Sequence, residues 1–225
     1  MTRKENPWIS LALNIVIPTV ILVKFSGEGA LGPVWGLVTA LAFPLAYGLY
    51  DFSVSKKLNF FSAVGIVSTL LTGGIGLFEL DPKYVAIKEA GVPLVVGLII
   101  FLSVRTKYPV VKTFVHKVVD SQKIYSKLAE LQKETEYEER LKKANHWFAA
   151  SFFISSVLNF SLAKIIVTSQ PGTEAFNAEL GRMTALSYPV IALPMTIMMA
   201  AVMYSVIANV AKLTQLEFEE ILAAR

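Results

Sequence analysis

Residues 183–211 read MTALSYPVIALPMTIMMAAVMYSVIANVA and contain no charged side chain. A bilayer core about 30 Å thick needs about 20 apolar residues per helix, so this run is long enough to cross it. Only helices and closed barrels satisfy their backbone hydrogen bonds in lipid, and the run is continuous rather than alternating. Five similar runs lie at 8–24, 32–50, 59–78, 86–104 and 147–168. The sequence therefore predicts an all-α, polytopic membrane bundle of six transmembrane helices, forming one integral membrane domain over 1–225.

The composition agrees with a membrane protein and excludes several chemistries. Hydrophobic residues make up 54% of the 225 residues, and the mean hydropathy is +0.56. The chain has no cysteine and only two histidines, His116 and His146. Thiol catalysis, disulfides and cysteine-based metal sites are therefore excluded. We predict neither a metal site nor a cofactor.

Lysine and arginine are distributed unevenly among the segments between the apolar runs. Sixteen of the 21 lie at the N-terminus, at 56–57, between Arg105 and Lys143, and at the C-terminus. Loops rich in these residues remain in the cytoplasm, so both termini are predicted to be cytoplasmic. The basic residues alternate with acidic ones, so the net charge of +4 indicates topology rather than nucleic-acid binding.

An internal repeat is visible at an offset of 145 residues. Leu13-Asn14 matches Leu158-Asn159, and the segment 39–44 (TALAFP) matches 184–189 (TALSYP). This similarity predicts that helices 1–2 and 5–6 are parallel copies of one hairpin, related about an axis along the membrane normal. Helices 3–4 are a candidate third copy. Chance similarity between apolar helices is the alternative.

Four residues in matching positions of this repeat form a candidate intramembrane polar site: Asn14, Asn159, Pro44 and Pro189. Polar groups are costly inside a membrane, so each is a candidate for function. A proline also frees the backbone carbonyl one turn before it. The alternative is structural, because asparagine commonly joins helices by hydrogen bonds.

A charged cluster precedes and enters helix 4. It consists of Glu79, Asp81, Lys83, Lys88 and Glu89. The apolar run 91–104 is too short to span, so helix 4 must extend back toward Pro82. This extension carries Lys88 and Glu89 to the outer membrane interface, where Lys88 can pair with Glu79 or Asp81, or snorkel. We regard the cluster as a candidate functional site, with a solvated loop as the alternative.

The segment 105–146 is predicted to be a cytoplasmic helical connector. Its first part, 109–119, has an apolar face opposite Lys112, His116 and Lys117, which suits a helix lying at the lipid surface. A narrow stripe of Ile124, Leu128 and Leu131 follows, and then a charged stretch that includes an expected Glu139–Lys143 pair. We expect a solvated helix that runs into helix 5 at Trp147. Partner binding through the stripe is the alternative.

The segment 73–88, GGIGLFELDPKYVAIK, carries a family resemblance. It resembles the Gly-Gly-x-x-Leu-Phe, acid, Ile-Lys pattern of the bacterial intracellular septation protein A family of inner-membrane-spanning proteins. The stretches 108–112 and 145–159 are similar to that family's amphipathic segment and following helix. The resemblance covers most of the chain and includes no catalytic motif. It implies a role in envelope integrity and membrane homeostasis, through contacts with elongation and division proteins.

Two functions follow from these observations. The first is a non-enzymatic protein of the bacterial inner membrane that supports envelope integrity through contacts with membrane lipids and proteins. The alternative is a small-solute or ion transporter or channel with a midplane site between the hairpin repeats. A membrane enzyme is disfavoured, because no constellation of histidine and acidic residues converges in the bundle.

Overall fold

The computed structural model describes residues 7–55 and 60–221, and every regular element in these ranges is helical. Five basic residues that support the predicted topology lie outside these ranges: Arg3, Lys4, Lys56, Lys57 and Arg225. The α-helices are α1 (Pro7–Leu11), α2 (Ile17–Lys24), α3 (Gly32–Ser55), α4 (Phe60–Leu77), α5 (Lys83–Ser103), α6 (Val110–Val115), α7 (Ser121–Glu130), α8 (Glu134–Ile166), α9 (Glu174–Ser187), α10 (Leu193–Thr214) and α11 (Phe218–Ile221).

Two π-helical turns interrupt this pattern, and each contains or precedes a proline. Ala12–Val16 separates α1 from α2, and Tyr188–Ala192 separates α9 from α10. Pro18 follows the first turn and Pro189 lies in the second. A proline removes one backbone donor and displaces the carbonyl one turn before it, so a local change of helical pitch is a natural response.

Within the described ranges, four helical segments are long and apolar enough to cross a membrane. Two further apolar helices, Trp8–Lys24 and Ala63–Leu77, are shorter, at 10–17 residues each. The all-helical class and the membrane-length helices are thus confirmed, whereas the six-span hairpin arrangement stays a prediction. The four long segments are Gly32–Ser53, Lys83–Ser103, Glu134–Ile166 and Glu174–Thr214.

The surfaces of these helices fit a lipid environment. Only 11% to 22% of each membrane-length window is buried within the protein. The exposed side chains on the helices include large apolar ones such as Leu70, Val95 and Ile197. Soluble monomeric proteins rarely expose apolar patches of this extent to water. The chain is therefore a membrane protein by the length and composition of its helices.

The chain divides into two compact units. Unit 1 comprises residues 1–92 and 157–192. Within it, α2 packs against α3 and α9, and α3 packs against α4. Its core includes Leu22, Leu37, Val85, Phe176 and Leu180, each at most 4% exposed.

Unit 2 comprises residues 93–156 and 193–225. Its core joins α6, α7, the first part of α8, the end of α10 and α11. The short α11 is tied to the start of α7, because the Asp120 amide donates to the Ile221 carbonyl at 2.9 Å and Lys123 pairs with Glu220 at 3.0 Å. The buried residues include Val111, Val115, Ile124, Leu128, Tyr137, Val210 and Ile221.

The structure changes the interpretation of the connector 105–146. α8 runs through Trp147 as expected, but the helix before it is broken, because α7 ends at Glu130 and α8 begins at Glu134. The prediction that this segment is solvated is wrong at Ile124 and Leu128, which are fully buried in the core of unit 2. The amphipathic helix is also shorter than predicted, and half of its apolar face is buried at Val111 and Val115. The expected ion pair between Glu139 and Lys143 does not form among the described residues. The pair found in this part of α8 joins Arg140 to Glu136 at 2.5 Å. Apolar side chains next to a folding core gain more by packing there than by facing solvent.

Candidate functional site

The most unusual side chain in unit 1 is Lys88, an amine inside an apolar helix. As predicted, α5 begins at Lys83, ahead of the apolar run, so Lys88 lies in its second turn. The Lys88 side chain is only 8% exposed. Lysine is almost never this buried unless it is paired, so its surroundings carry information.

Lys88 has three polar partners. Its Nζ lies 2.6 Å from Oε1 of Glu89 and donates to Thr72 Oγ1 at 2.8 Å and to Ser68 Oγ at 3.2 Å. Thr72 and Ser68 stand one turn apart on α4, so they present their hydroxyls on one face. An ammonium group has three donors, and this arrangement satisfies all three.

Glu89 also lines a small polar cavity within unit 1. The cavity has a volume of about 160 Å³, and the polar residues in its lining are Glu89, Asn159, Thr184 and Ser187. Leu162 and Met183 complete its wall. Thr184 and Ser187 lie just before the π-helical turn at Tyr188, a kind of irregularity that is frequent at functional sites. The residues of this cavity carry one carboxyl group together with amide and hydroxyl oxygens, among apolar helices.

The predicted charged cluster divides into an exposed part and a buried part. Asp81 and Lys83 form a surface ion pair at 3.0 Å, with side chains 51% and 61% exposed. The Lys83 amide also donates to Asp81 Oδ1 at 2.9 Å, and this bond together with the Lys83 ammonium lowers the pKa of Asp81. Asp81 therefore caps the start of α5, whereas Lys88 and Glu89 turn into unit 1.

Glu79 is also exposed and lies beside Gly172 rather than beside Asp81 and Lys83. It has a φ of 51° at the end of α4, and a Cβ added at Gly172 would lie 3.1 Å from its carboxyl oxygen. Gly172 itself has a φ of 85°, a conformation that only glycine adopts readily. The expected pairing of Lys88 with Glu79 or Asp81 is absent among the described residues, because Glu89, Thr72 and Ser68 occupy the Lys88 donors.

The repeat-related residues occupy different environments. Asn14 lies in the first π-helical turn and donates to the Ser10 carbonyl within its own helix at 2.8 Å. Asn159, its predicted counterpart, lines the Glu89 cavity. Pro44 lies inside the uninterrupted α3, whereas Pro189 lies in the second π-helical turn. The structure therefore does not bring Asn14 and Asn159 into one cavity.

Sequence reasoning missed the hydroxyl groups of this site. Ser68 and Thr72 are spaced i, i+4, and Thr184 and Ser187 are spaced i, i+3. Each pair lies on one helix face within an apolar run, and this spacing is the signal that was available. Serine and threonine are common in membrane helices, however, so the spacing alone does not distinguish a site from packing.

The three residues predicted for a lipid-surface helix lie in unit 2. Lys112 pairs with Glu138 at 2.5 Å, and Tyr125 donates to the same carboxylate at 2.7 Å. The His116 ring meets that of Tyr125 edge to face, with centroids 5.7 Å apart. Burial lowers the pKa of His116, and the nearby Lys112 lowers it further. Lys117 is exposed.

No protein-family model, curated protein or solved structure matches this chain. The resemblance to the septation protein A family therefore stays a prediction from the quoted residues. In the described part of the chain, histidine and acidic side chains form no group of three or more that can hold a metal ion.

Proposed function

We propose that this chain is a polytopic membrane protein that transports a small cation or a proton, with its site at the Glu89 cavity. One observation carries the proposal: the Lys88–Glu89 pair is held among hydroxyl groups inside apolar helices. An ionisable residue within a membrane segment is expensive, and such residues mark ion and substrate pathways.

The size and chemistry of the cavity favour a small cargo. Pockets for organic ligands usually measure about 300–1,000 Å³, and this cavity has about 160 Å³. The polar residues of its lining carry one carboxyl group, one amide and two hydroxyl groups. Oxygen atoms of this kind suit a hard cation, and a carboxyl group can carry a proton.

Lys88 supplies a mechanism for exchange. A cation or a proton that enters the cavity competes with the Lys88 ammonium for the Glu89 carboxyl group. Lys88 can then be retained by Thr72 and Ser68, which already accept hydrogen bonds from it. The pair therefore offers two states that differ in which cation Glu89 holds.

We infer that the apolar helix Trp8–Lys24 and α4 cross the membrane with the four longer segments, giving six spans with hairpin repeats and cytoplasmic termini in a bacterial inner membrane. The segregation of lysine and arginine supports this orientation. We propose no chemical reaction for the protein.

The test is ion flux in liposomes that contain the purified full chain. Sodium, potassium and proton movements are followed with entrapped dyes. We expect flux of at least one of these ions, loss of that flux in Glu89→Gln, and altered ion dependence in Lys88→Met. Asp81→Asn is the matched control, because that carboxylate is exposed and should leave flux unchanged. Absence of flux for all three ions, or equal effects of Glu89→Gln and Asp81→Asn, would contradict the proposal.

A second candidate is support of the cell envelope through lipid and protein contacts, with elongation and division proteins as the partners that the family resemblance implies. The observation that favours it is the exposed half of the α6 face, where Phe114 is 59% exposed and the following Val118 is 44% exposed. Lys117 lies between them in sequence and is also exposed. Aromatic and basic residues together favour contact with an anionic lipid surface.

This second function is tested in cells of the source organism that lack the gene. We expect envelope defects to be rescued by the wild-type chain and by Glu89→Gln, but not by Phe114→Ser/Val118→Ser. Rescue by the Phe114→Ser/Val118→Ser variant together with failure of Glu89→Gln would favour the transport function instead.

A further inference from the structure

A second and larger concavity lies in unit 2, between the first part of α8 and the middle of α10. It has a volume of about 700 Å³, within the range of sites for organic ligands. One end is lined by Glu136, Glu139, Arg140 and Lys143 of α8. The other end is lined by apolar or small residues, among which Met198 lies farthest from the charged end along α10. We call this feature the α8–α10 groove.

The groove has a polarity gradient that matches the edge of a bilayer. Helix α8 has 33 residues and is therefore about 50 Å long, so it extends about 20 Å beyond a bilayer core about 30 Å thick. All of its charged residues except Lys164 lie at the N-terminal end, between Glu134 and Lys143, and Trp147 at the groove is 64% exposed. Tryptophan is enriched at membrane–water interfaces. The groove thus runs from the polar interface into the apolar layer.

The apolar part of the groove is lined by small residues from both helices. Ala144 on α8 and Ala201 on α10 are small, and Val202 lies beside Ala201. Small residues at these positions leave space between two helices that larger side chains would fill. An extended acyl chain is the apolar group that a membrane supplies at this depth.

The charged end of the groove carries both signs. Arg140 is engaged by Glu136 at 2.5 Å and by the amide oxygen of Asn209. Glu139 and Lys143 are exposed and form no ion pair with each other or with other described residues. They stand four residues apart, so their side chains emerge on the same face about 5–6 Å apart. This end therefore offers one acidic and one basic group side by side.

We propose that the α8–α10 groove binds one glycerophospholipid with a zwitterionic headgroup that bears a primary amine, as in phosphatidylethanolamine. Lys143 contacts the phosphate, Glu139 accepts hydrogen bonds from the amine, and an acyl chain lies along Ala201 and Val202. A choline headgroup has the same charges but no N–H donor, so Glu139 distinguishes the two. The proposal concerns unit 2 and does not depend on the Glu89 cavity.

The experiment uses the fluorescence of Trp147. The chain has three tryptophans, and Trp8→Phe/Trp35→Phe leaves Trp147 alone. This variant is placed in phosphatidylcholine nanodiscs that contain increasing fractions of lipid brominated on its acyl chains. We expect phosphatidylethanolamine to reach half-maximal quenching at about a two- to fivefold lower mole fraction than phosphatidylcholine, the range that one net hydrogen bond at an exposed position contributes to binding.

Three further variants separate a specific site from ordinary contact with surrounding lipid. Ala201→Leu fills the groove and should remove the preference, whereas Ala208→Leu, exposed on the same helix but outside the groove, should retain it. Glu139→Gln should reduce the preference for the ethanolamine lipid while quenching persists. Equal quenching by both headgroups, no effect of Ala201→Leu, or a stronger preference for brominated phosphatidylglycerol would each overturn the proposal.

Discussion

The Nζ of Lys88 lies 2.6 Å from the carboxyl oxygen of Glu89, although the two residues are adjacent on one helix. Neighbouring residues in an α-helix point in different directions and do not normally face each other. Lys88 also donates to the Thr72 hydroxyl of α4, and Glu89 lines the cavity that Asn159 lines as well. Both long side chains thus converge on the polar part of an otherwise apolar bundle.

Replacing Lys88 with methionine should lower the stability of the protein. A methionine side chain cannot donate to Glu89, Thr72 and Ser68, and the Glu89 side chain, 26% exposed, would lose its cationic partner. We expect a loss of about 1–3 kcal/mol in the free energy of unfolding, below the value for a fully buried pair. Thermal unfolding in detergent, followed by circular dichroism, measures it. Lys83→Met is the matched control and should be neutral, since its pair with Asp81 is exposed.

Replacement of Asn14 and Asn159 with leucine should have different effects. The sequence repeat alone predicts that they behave alike. The structure instead places Asn159 at the Glu89 cavity and bonds Asn14 to Ser10. In the liposome assay, Asn159→Leu should reduce ion flux strongly, whereas Asn14→Leu should leave it close to wild type. Equal loss of flux in both variants would restore the functional equivalence of the repeats.

Asn145 should be among the most sensitive polar residues of unit 2. It is fully buried, accepts a hydrogen bond from the Val111 amide at 3.0 Å, and donates to the Ile100 carbonyl at 2.7 Å. Asn145→Leu leaves both backbone groups buried without this partner, so we expect a loss of about 2–4 kcal/mol. Hydrogen exchange should also accelerate at the Val111 amide. Lys142→Ala, at an exposed position on the same helix, should change neither quantity.

The stability of unit 2 should decrease as the pH falls below about 6.5. Burial, reinforced by Lys112, lowers the pKa of His116 from its ordinary value of 6.5, while Glu138 opposes this effect. The unfolded chain therefore binds a proton more readily than the folded chain, and stability present above pH 6.5 is lost on acidification. His116→Phe preserves the ring contact with Tyr125 and should flatten unfolding midpoints measured between pH 5 and 7. His146→Phe, at an exposed position, should retain the decrease.

Gly181 is required for the close approach of α9 and α2. A Cβ at this position would lie 2.7 Å from Cγ2 of Val23 and 3.2 Å from the Thr19 carbonyl oxygen. Gly181→Ala should therefore destabilise the protein by about 1–3 kcal/mol through overpacking. Gly65→Ala meets no atom within 4 Å and should be neutral or slightly stabilising. A neutral Gly181→Ala in thermal unfolding would show that the two helices separate easily.

Parts of the candidate site were predictable from the sequence. The predicted fourth transmembrane helix is α5 in the structure. Its extension back to Lys83 follows from its length, because 14 apolar residues cannot cross a bilayer. The same argument places Lys88 and Glu89 within the helix. It does not identify Ser68 and Thr72 as partners, because they lie 20 and 16 residues away along the chain. Such pairings depend on how two helices rotate about their axes.

The sequence by itself determined the helical class and the membrane setting, because hydropathy and backbone hydrogen bonding act within each segment. Tertiary structure alone decided that Lys88 bonds to α4 rather than to Asp81, that Asn159 but not Asn14 lines the Glu89 cavity, and that Ile124 is buried. The physical reason is that a side chain's hydropathy is a local property, whereas its partner is set by packing between segments distant in the chain.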